Sequence, residues 1–311
     1  MSDFWRDKRV LVTGGAGFLG SFIVDRLRAG GAQVALPRSK EYDLRRRDDV
    51  DRMLDVYNPS VVIHAAVDGG GIGYMRHFPG SVYTNNTLMN TLLLDGCYRA
   101  GVAKFVGVSS VCAYPRDAPV PMREEDLWDG YPEPTNAAYG LSKKMMMEQG
   151  KAYQQQYGYT SVFPMPVNLY GPRDHFDPER SHVVPALIRK CVEAREAGAD
   201  HIVAWGTGKA TRELLYVEDC ADAVLRAAEV FDRPDPINIG TGRETPVKEL
   251  VETVAAVCGF EGEIRWDTSK PDGQPRKCLD VSRARDWLGW EASVSLEEGL
   301  KRTVEWYLSR R

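Results

Sequence analysis

The 311-residue sequence has no long apolar run, no closely paired cysteines and no excess of basic residues. No apolar stretch approaches the roughly 20 residues that cross a bilayer, so we expect no membrane partner. The 40 basic and 44 acidic residues give a net charge of −4. This balance excludes the broad positive surface of a nucleic-acid-binding protein, but it allows a local basic pocket for a phosphate. With 43% hydrophobic residues, the chain can build a sizeable core.

The six cysteines are scattered, and none forms a C-x-x-C pair, so we expect no zinc site. Residues 1–8 carry charges of both signs and contain no apolar segment of a secretory signal. Scattered cysteines in such a chain are typical of reduced thiols, and the sequence therefore predicts a cytoplasmic location.

Short apolar runs alternate with amphipathic segments along the chain, which predicts an α/β fold with a Rossmann-type, doubly wound parallel sheet. Strands are predicted at 8–13, 33–36, 60–64, 104–109, 160–164 and 236–239. Helices are predicted at 18–29, 47–57, 86–99, 137–157, 247–258, 282–288 and 295–309.

Proline and glycine become frequent between residues 164 and 178, which indicates a passage into a smaller α/β lobe. We therefore predict a nucleotide-binding domain over residues 1–170, to which residues 213–241 return. Residues 171–212 and 242–311 are predicted to form an interleaved C-terminal substrate-binding lobe.

A glycine-rich turn follows the first predicted strand and opens the first helix. It reads Thr13-Gly14-Gly15-Ala16-Gly17-Phe18-Leu19-Gly20. Gly14 permits the tight turn, Gly17 lets the backbone approach a pyrophosphate, and Gly20 allows close packing of helix and strand. The helix N-terminus adds unpaired N–H groups for the phosphates. The turn predicts a dinucleotide site; the alternative is a purely structural turn.

The end of the second strand bears on which dinucleotide binds. NAD-binding folds usually carry an acid there, but this chain has Arg38 and Lys40. Both cations can pair with a 2′-phosphate, which favours NADP(H); the alternative is a pair of solvated loop cations. Asp43 either contacts the adenine amine or caps the next helix.

Tyr139 and Lys143 are four residues apart in a predicted helix, so both lie on one helix face. A nearby ammonium lowers the pKa of a tyrosine, which then transfers a proton to a carbonyl oxygen as hydride reaches its carbon. Ser110, just after a strand, is placed to hydrogen-bond the same oxygen. The alternative is an ordinary pair on an amphipathic helix.

Cys112 and His182 are candidates for a second proton-transfer step. A thiol and an imidazole titrate near neutral pH, so they can act as base and acid on carbons that flank a ketone. Taken singly, Cys112 also fits a small core residue and His182 a helix cap.

Together these motifs resemble the extended short-chain dehydrogenase/reductase family over nearly the whole chain. The matching segments are residues 13–20, His64-Ala65-Ala66, Asn85-Asn86, Tyr139-Gly140-Leu141-Ser142-Lys143 and Asn168-Leu169-Tyr170-Gly171-Pro172. The resemblance implies NADP-dependent chemistry and places Ala65 and Ala66 beside the cofactor.

Within that family the chain is most similar to epimerase/reductases of GDP-linked 4-keto-6-deoxy sugars. The segments that carry this likeness are 133–136, 181–187, 205–208, 212–213 and 269–277. The resemblance implies conversion of GDP-4-keto-6-deoxy-D-mannose to GDP-L-fucose. It assigns C4 reduction to Ser110, Tyr139 and Lys143, and C3/C5 epimerisation to Cys112 as base and His182 as acid. It places Asn168, Val183, Lys190, Trp205, Arg212 and Lys277 against the nucleotide sugar; Trp205 fits a packed core aromatic equally well.

Residues 67–77 depart from that group, whose members usually read Lys-Val-Gly-Gly-Ile after the paired alanines. In this segment Arg76 and His77 contact either substrate or solvent, and another GDP-linked keto sugar, such as a heptose, stays open. A pure C4 reductase, a pure epimerase and a non-catalytic NADP-binding regulator are the rival functions. Met145-Met146-Met147 fits either a homodimer interface or internal packing, and we predict a homodimer.

Overall fold

The computed structural model describes residues 3–177, 181–270 and 273–311, which form strands and helices in alternation. The strands are β1 (Arg9–Thr13), β2 (Gln33–Ala35), β3 (Val61–His64), β4 (Lys104–Gly107), β5 (Ser161–Pro166), β6 (Asn168–Tyr170), β7 (His201–Trp205), β8 (Thr211–Arg212), β9 (Leu214–Tyr216), β10 (Pro236–Ile239), β11 (Thr245–Pro246) and β12 (Glu263–Asp267).

The helices fill the segments between these strands. They are α1 (Phe18–Ala29), α2 (Arg47–Tyr57), α3 (Ile72–His77), α4 (Pro79–Arg99), α5 (Ala137–Tyr157), α6 (Val183–Glu196), α7 (Val217–Val230), α8 (Val247–Val257), α9 (Ser282–Leu288) and α10 (Leu296–Leu308). Among the described helices, none has both the length and the apolarity needed to span a bilayer.

The central sheet is parallel and has the strand order β10-β5-β4-β3-β1-β2. Strands β3, β4, β5 and β10 are buried along their whole length, because helices cover both faces of such a sheet. Helix α1 packs with α7, whereas α4 packs with α2 and α5. The predicted fold class is confirmed. The strand order reverses between β1 and β3, and in open α/β sheets ligands bind at such a switch point.

A smaller lobe has its own apolar core, formed by residues of α6, α8 and α10 together with β7. Strand β12 pairs in parallel with β7, and β11 pairs antiparallel with β8. Between these elements the chain re-enters the main body through α7, whose buried side chains join the first core, and through β10 beside β5. The domain boundaries derived from the sequence stay a prediction.

Helix α4 begins at Pro79, seven residues before the start predicted from the sequence. Asn86, the first residue of the predicted helix, is buried inside α4. Its Nδ2 donates to the carbonyl oxygens of Val82 at 2.7 Å and Asp68 at 2.8 Å. A buried amide that is hydrogen-bonded in this way is compatible with a helix interior.

One buried carboxylate ties the smaller lobe to the end of the central sheet. Glu213 accepts backbone N–H bonds from Thr241 at 2.5 Å, Gly242 at 2.8 Å and Leu279 at 2.7 Å. Burial raises the pKa of Glu213, whereas these backbone donors lower it. The carboxylate therefore ties its own segment, which also carries Arg212, to residues 241–242 and to the segment that carries Lys277 and Leu279.

Candidate active site

The glycine turn after β1 packs directly against the chain that leaves β3. Gly14 has φ +70°, and a Cβ there would lie 2.6 Å from the backbone nitrogen of Ala66. A Cβ at Gly20 would overlap the carbonyl oxygen of Gly14. Only glycine fits these two positions, and the N-terminus of α1 is left open toward the cleft. This cradle fits a dinucleotide pyrophosphate.

A cleft of about 1750 Å³ runs between the main body and the smaller lobe. The site residues predicted from the sequence line it, with one exception. Those that line it are Gly14, Gly17, Phe18, Leu19, Gly20, Arg38, Asp43, Ala65, Ala66, Ser110, Cys112, Tyr139, Lys143, Asn168, His182, Val183, Lys190, Trp205, Arg212 and Lys277.

Lys40 is the exception, and this part of the sequence-based prediction is corrected. Its side chain is exposed, and it is absent from the described residues that line the cleft. The cause is a reverse turn in which the N–H groups of Glu41 and Tyr42 donate to the carbonyl oxygen of Arg38, at 2.9 and 3.0 Å. The turn leaves Arg38 at the cleft and carries Lys40 away from it.

Asp43 is held by Arg45, which the sequence analysis did not single out. The Arg45 guanidinium donates to both Asp43 carboxylate oxygens, at 2.8 and 2.7 Å. This hydrogen bonding lowers the pKa of Asp43 to about 2 against the opposing effect of burial. The Asp43 side chain also accepts the N–H of Arg45, an Asx turn, whereas the residue that caps α2 is Arg46. The capping interpretation of Asp43 is therefore wrong.

Tyr139 and Lys143 lie on the first turns of α5, at the floor of the cleft. Lys143 is 2% exposed, and its Nζ donates to the carbonyl oxygen of Val108 at 2.8 Å. Burial lowers the pKa of Lys143 to about 8. Burial also raises the pKa of Tyr139; Cys112 adds to this effect, and a hydrogen bond with Ser110 opposes it.

The direction for Tyr139 differs from the lowered pKa that the sequence led us to expect from Lys143. The Lys143 ammonium is engaged by Val108 and lies 5.6 Å from the centre of the Tyr139 ring. Desolvation of the phenolate therefore outweighs attraction to the ammonium. The consequence is that Tyr139 carries its proton at neutral pH.

Cys112 and His182 enter the same cleft from opposite lobes. Cys112 lies in a one-turn 3-10 helix, Val111–Ala113, and is half-buried, whereas the other five cysteines are buried. Its Sγ accepts a hydrogen bond from Nδ2 of Asn136 at 3.3 Å. Cys112 is also close enough to Tyr139 to affect its pKa. The interpretation of Cys112 as a core residue is therefore wrong.

His182 immediately precedes α6, but its side chain makes no capping hydrogen bond. The helix-cap interpretation is therefore wrong, and the imidazole is free to face the cleft that it lines. The surrounding protein and, to a smaller extent, His175 lower the pKa of His182.

The far end of the cleft is aromatic and basic. Trp205 is 61% exposed, so it is not a packed core aromatic. The Nζ atoms of Lys190 and Lys270 lie 5.4 and 5.5 Å from its ring centre. Arg212 donates to the carbonyl oxygen of Gln274 at 2.7 Å. A flat ring among cations suits a nucleobase with a diphosphate.

The divergent segment 67–77 is tied down at Asp68, on the cofactor side of the cleft. The Asp68 carboxylate accepts bonds from the Tyr74 hydroxyl and from Nδ2 of Asn85, each at 2.7 Å. Arg76 lines the cleft, whereas His77 is exposed and packs on Phe78.

Asp174 is a buried carboxyl in the cleft wall that sequence reasoning missed. Its Oδ1 accepts the N–H of His175 at 2.7 Å. Burial raises the pKa of Asp174 to about 7, although this hydrogen bond opposes the shift. The Gly-Pro-Arg-Asp context at 171–174 carries no local signal that an acid there is buried.

A chain of buried hydrogen bonds joins the glycine turn to the catalytic helix. The Thr13 hydroxyl lies 2.7 Å from Nδ1 of His64, and Nε2 of His64 lies 2.9 Å from Oδ1 of Asn90. Nδ2 of Asn90 donates to the carbonyl oxygen of Ser142, and the Ser142 hydroxyl donates to that of Tyr139. Because the Asn90 oxygen can only accept, His64 carries its proton on Nε2 and accepts the Thr13 hydroxyl at Nδ1.

We predict that His64 makes the protein sensitive to mild acid. Burial, and then the charge of Lys143, lower the pKa of His64 to about 3. The unfolded chain binds a proton below about pH 6.5, but the folded protein does not, so stability falls as the pH drops through that value. Between pH 7 and pH 5 the free energy of unfolding should fall by about 2 kcal/mol through this residue.

Chemical denaturation at the two pH values measures this fall. His64→Gln should lose that part of the pH dependence, although it is less stable at pH 7. His77→Gln, at an exposed histidine, is the matched control and should keep it. Identical pH slopes for the unmodified protein and His64→Gln would contradict the prediction.

Comparison with known proteins gives a consistent set of matches. Residues 10–240 match the NAD dependent epimerase/dehydratase family. GDP-L-fucose synthase 1 of Arabidopsis thaliana is 40% identical over 309 residues, which cover 99% of this chain and 95% of that protein.

Solved structures agree. A GDP-6-OMe-4-keto-L-xylo-heptose reductase from C. jejuni has a TM-score of 0.92 at 26% identity and covers 100% of this chain and 99% of its own. A GDP-L-fucose synthetase from Naegleria fowleri, solved with bound NADP, has a TM-score of 0.88 at 30% identity, with coverage of 98% and 95%.

Proposed function

The chain belongs to the NAD dependent epimerase/dehydratase family and is a relative of the GDP-L-fucose synthases, and on this premise we propose that it converts GDP-4-keto-6-deoxy-D-mannose to GDP-L-fucose. One observation carries the proposal: Cys112, Tyr139 and His182 line one cleft, between a glycine cradle and a basic aromatic end. A single bound sugar can therefore meet both sets of groups.

In the proposed epimerisation, Cys112 removes the proton from C3 or C5 and His182 returns a proton to the opposite face. The electron pair of the broken C–H bond is held on the C4 oxygen, since the neighbouring ketone stabilises the carbanion as an enolate. The position of the two residues on opposite lobes supports attack from opposite faces. The lowered pKa of His182 makes its imidazolium a stronger acid.

In the proposed reduction, Tyr139 donates a proton to the C4 oxygen while Ser110 holds that oxygen. Bound NADPH supplies the hydride that C4 receives. The raised pKa of Tyr139 supports this order of events, because the phenol keeps its proton until the alkoxide forms. Lys143, beneath Tyr139, is proposed to bind the cofactor together with the glycine cradle.

The nucleotide part of the substrate is assigned to the far end of the cleft. We propose that Trp205 stacks on the guanine and that Lys190, Arg212 and Lys277 face the diphosphate. Asn168 and Val183, between the two ends, are assigned to the sugar. The exposure of Trp205 and the cations beside it support this assignment.

The decisive test is a reaction in D2O with NADPH and GDP-4-keto-6-deoxy-D-mannose, analysed by NMR and mass spectrometry. We expect GDP-L-fucose with deuterium at C3 and C5 and consumption of NADPH. Cys112→Ser should slow deuterium incorporation by about 100-fold or more, because general acid–base groups contribute at least that factor. Tyr139→Phe is the matched control and should incorporate deuterium while NADPH is not consumed.

A C4 reductase of another GDP-linked keto sugar is the second candidate. Two observations favour it: the similarity to the heptose reductase structure and the divergent segment 67–77, which brings Asp68 and Arg76 to the cleft. Reduction without deuterium in the product would support this candidate against the first. A lack of reaction with GDP-4-keto-6-deoxy-D-mannose, together with turnover of a GDP-linked keto heptose, would also support the second candidate.

The nicotinamide cofactor is proposed to be NADP(H), with Arg38 on the 2′-phosphate. The charged hydrogen bonds that Arg38 can make are worth about 1.5–3 kcal/mol. Arg38→Ala should therefore raise the KM for NADPH by about 10-fold or more and leave the KM for NADH unchanged. Lys40→Ala, outside the cleft, should change neither value. Equal catalytic efficiency of the unmodified protein with the two cofactors would refute the preference.

We also propose that the protein is a homodimer built on α4 and α5. Met146 and Met147 are buried, which accounts for two of the three methionines by internal packing. Met145 on α5 and Leu88 on α4 are exposed and free for a partner. Light scattering should give about twice the 34.8 kDa of one chain, and Met145→Lys should shift that mass toward the monomer. A monomer mass for the unmodified protein would remove the proposal.

A further inference from the structure

Three contacts hold Cys112, one from Ser110 at the start of its own 3-10 helix and two from the N-terminal end of α5. Its backbone N–H donates to Oγ of Ser110 at 3.2 Å. A Cβ at Gly140 would overlap its carbonyl oxygen, so helix α5 is in close contact with the Cys112 backbone. Nδ2 of Asn136 donates to its sulfur at 3.3 Å. The first two contacts fix the backbone, and the third acts on the sulfur itself.

In the side-chain amide of Asn136, the nitrogen makes a hydrogen bond, but the oxygen makes none to the described residues. Asn136 stands at the N-terminus of α5, but its side chain does not cap that helix. Its Oδ1 is buried and finds no hydrogen-bond partner within the described part of the chain. A buried amide oxygen without a partner is unfavourable, because it has lost its hydrogen bonds to water. Because Asn136 lines the cleft, a donor on a bound ligand can reach the region of this oxygen.

We propose that Asn136 is a positioning residue for Cys112: its N–H holds the sulfur in the thiolate form, and its oxygen accepts a hydroxyl of the bound sugar. The inference rests on the proposed function, since it names what prepares the base of the epimerisation. A hydrogen bond to an ionised acceptor is stronger than one to the neutral group, so the N–H favours thiolate over thiol.

The proposed step is a proton transfer from carbon to sulfur. The C–H bond beside the ketone breaks, its proton forms an S–H bond on Cys112, and its electron pair moves to the ketone oxygen. Burial is the main cause of the raised pKa of Tyr139, and the neighbouring Cys112 adds to it. Burial persists when the sulfur takes up its proton, so the phenol stays protonated for the reduction that follows.

The test is the pH dependence of iodoacetamide labelling of the full-length protein. Cys112 is half-buried and the other five cysteines are buried, so labelling reports on Cys112, and Cys112→Ser gives the background. The labelling midpoint should move upward by about one pH unit in Asn136→Ala, a tenfold change in the thiolate equilibrium. It should move further in Asn136→Asp, which keeps the shape but sets a carboxylate oxygen against the sulfur.

Asn168→Ala is the matched control. This asparagine also lines the cleft, but its Nδ2 donates to the carbonyl oxygen of Glu213 at 3.1 Å. Its labelling midpoint should equal that of the unmodified protein. Thermal unfolding establishes that each variant is folded, and the isosteric Asn136→Asp serves if Asn136→Ala does not fold.

The proposed hydrogen bond from a sugar hydroxyl to the Asn136 oxygen is tested by measuring the KM for the keto sugar. Asn136→Ala should raise it several-fold, whereas Asn136→Asp, which keeps an acceptor, should leave it near the unmodified value. Unchanged labelling midpoints in both folded variants would overturn the inference. Labelling needs no sugar, so a shifted midpoint without deuterium exchange by the unmodified protein would overturn the proposed function and leave the Asn136–Cys112 interaction standing.

Discussion

The neutral imidazole of His64 is the interaction on which the site depends most. It is fully buried between Thr13, at the end of β1, and Asn90, inside α4. Asn90 in turn donates a hydrogen bond to the carbonyl oxygen of Ser142 in α5, the helix that carries Tyr139 and Lys143. A buried polar chain of this kind is stable only when every member is paired. The strand that leads into the glycine cradle and the helix that carries Tyr139 and Lys143 are therefore positioned by one set of hydrogen bonds.

Desolvation is the main cause of the pKa shifts at Tyr139, Lys143 and Asp174 in the cleft. Burial lowers the pKa of Lys143 and raises that of Tyr139, and both shifts favour the neutral form. The same cause moves Asp174 to about 7. Tyr139 therefore keeps its proton at neutral pH, whereas Lys143, with a pKa of about 8, is still mostly protonated there. Cys112 lies close enough to Tyr139 to add to the raised pKa of that tyrosine.

Features set by local sequence were predictable. The spacing of Gly14, Gly17 and Gly20 determines the turn, and the interval between Tyr139 and Lys143 determines their common helix face. The strands of the main sheet and helices α1, α2 and α5 were predicted to within a few residues, whereas α4 begins seven residues before its predicted start and α7 was not predicted. The first seven residues of α4 were not predicted, and the two hydrogen bonds that hold Asn86 inside the helix are visible only in three dimensions.

Features set by contacts between distant residues were not predictable. Arg45, Asn136 and Asp174 were missed because nothing beside them in the sequence reveals a buried partner or a cleft. Lys40 was misplaced because a reverse turn at Arg38, rather than proximity in sequence, decides which cation faces the cleft. The sequence allows Trp205 to lie in the core or on the surface, and only its exposure in the folded structure decides between them.

The carboxylate of Glu213 has a consequence for redesign of the enzyme. It holds together the segments that carry Arg212 and Lys277, both at the proposed nucleotide end of the cleft. Residues 67–77 are held by a different set of hydrogen bonds, which join Asp68 to Tyr74 and Asn85. The two walls share none of these hydrogen bonds. The proposed nucleotide end and segment 67–77 are therefore held independently, so segment 67–77 can be exchanged between relatives without disturbing the hydrogen bonds of Glu213.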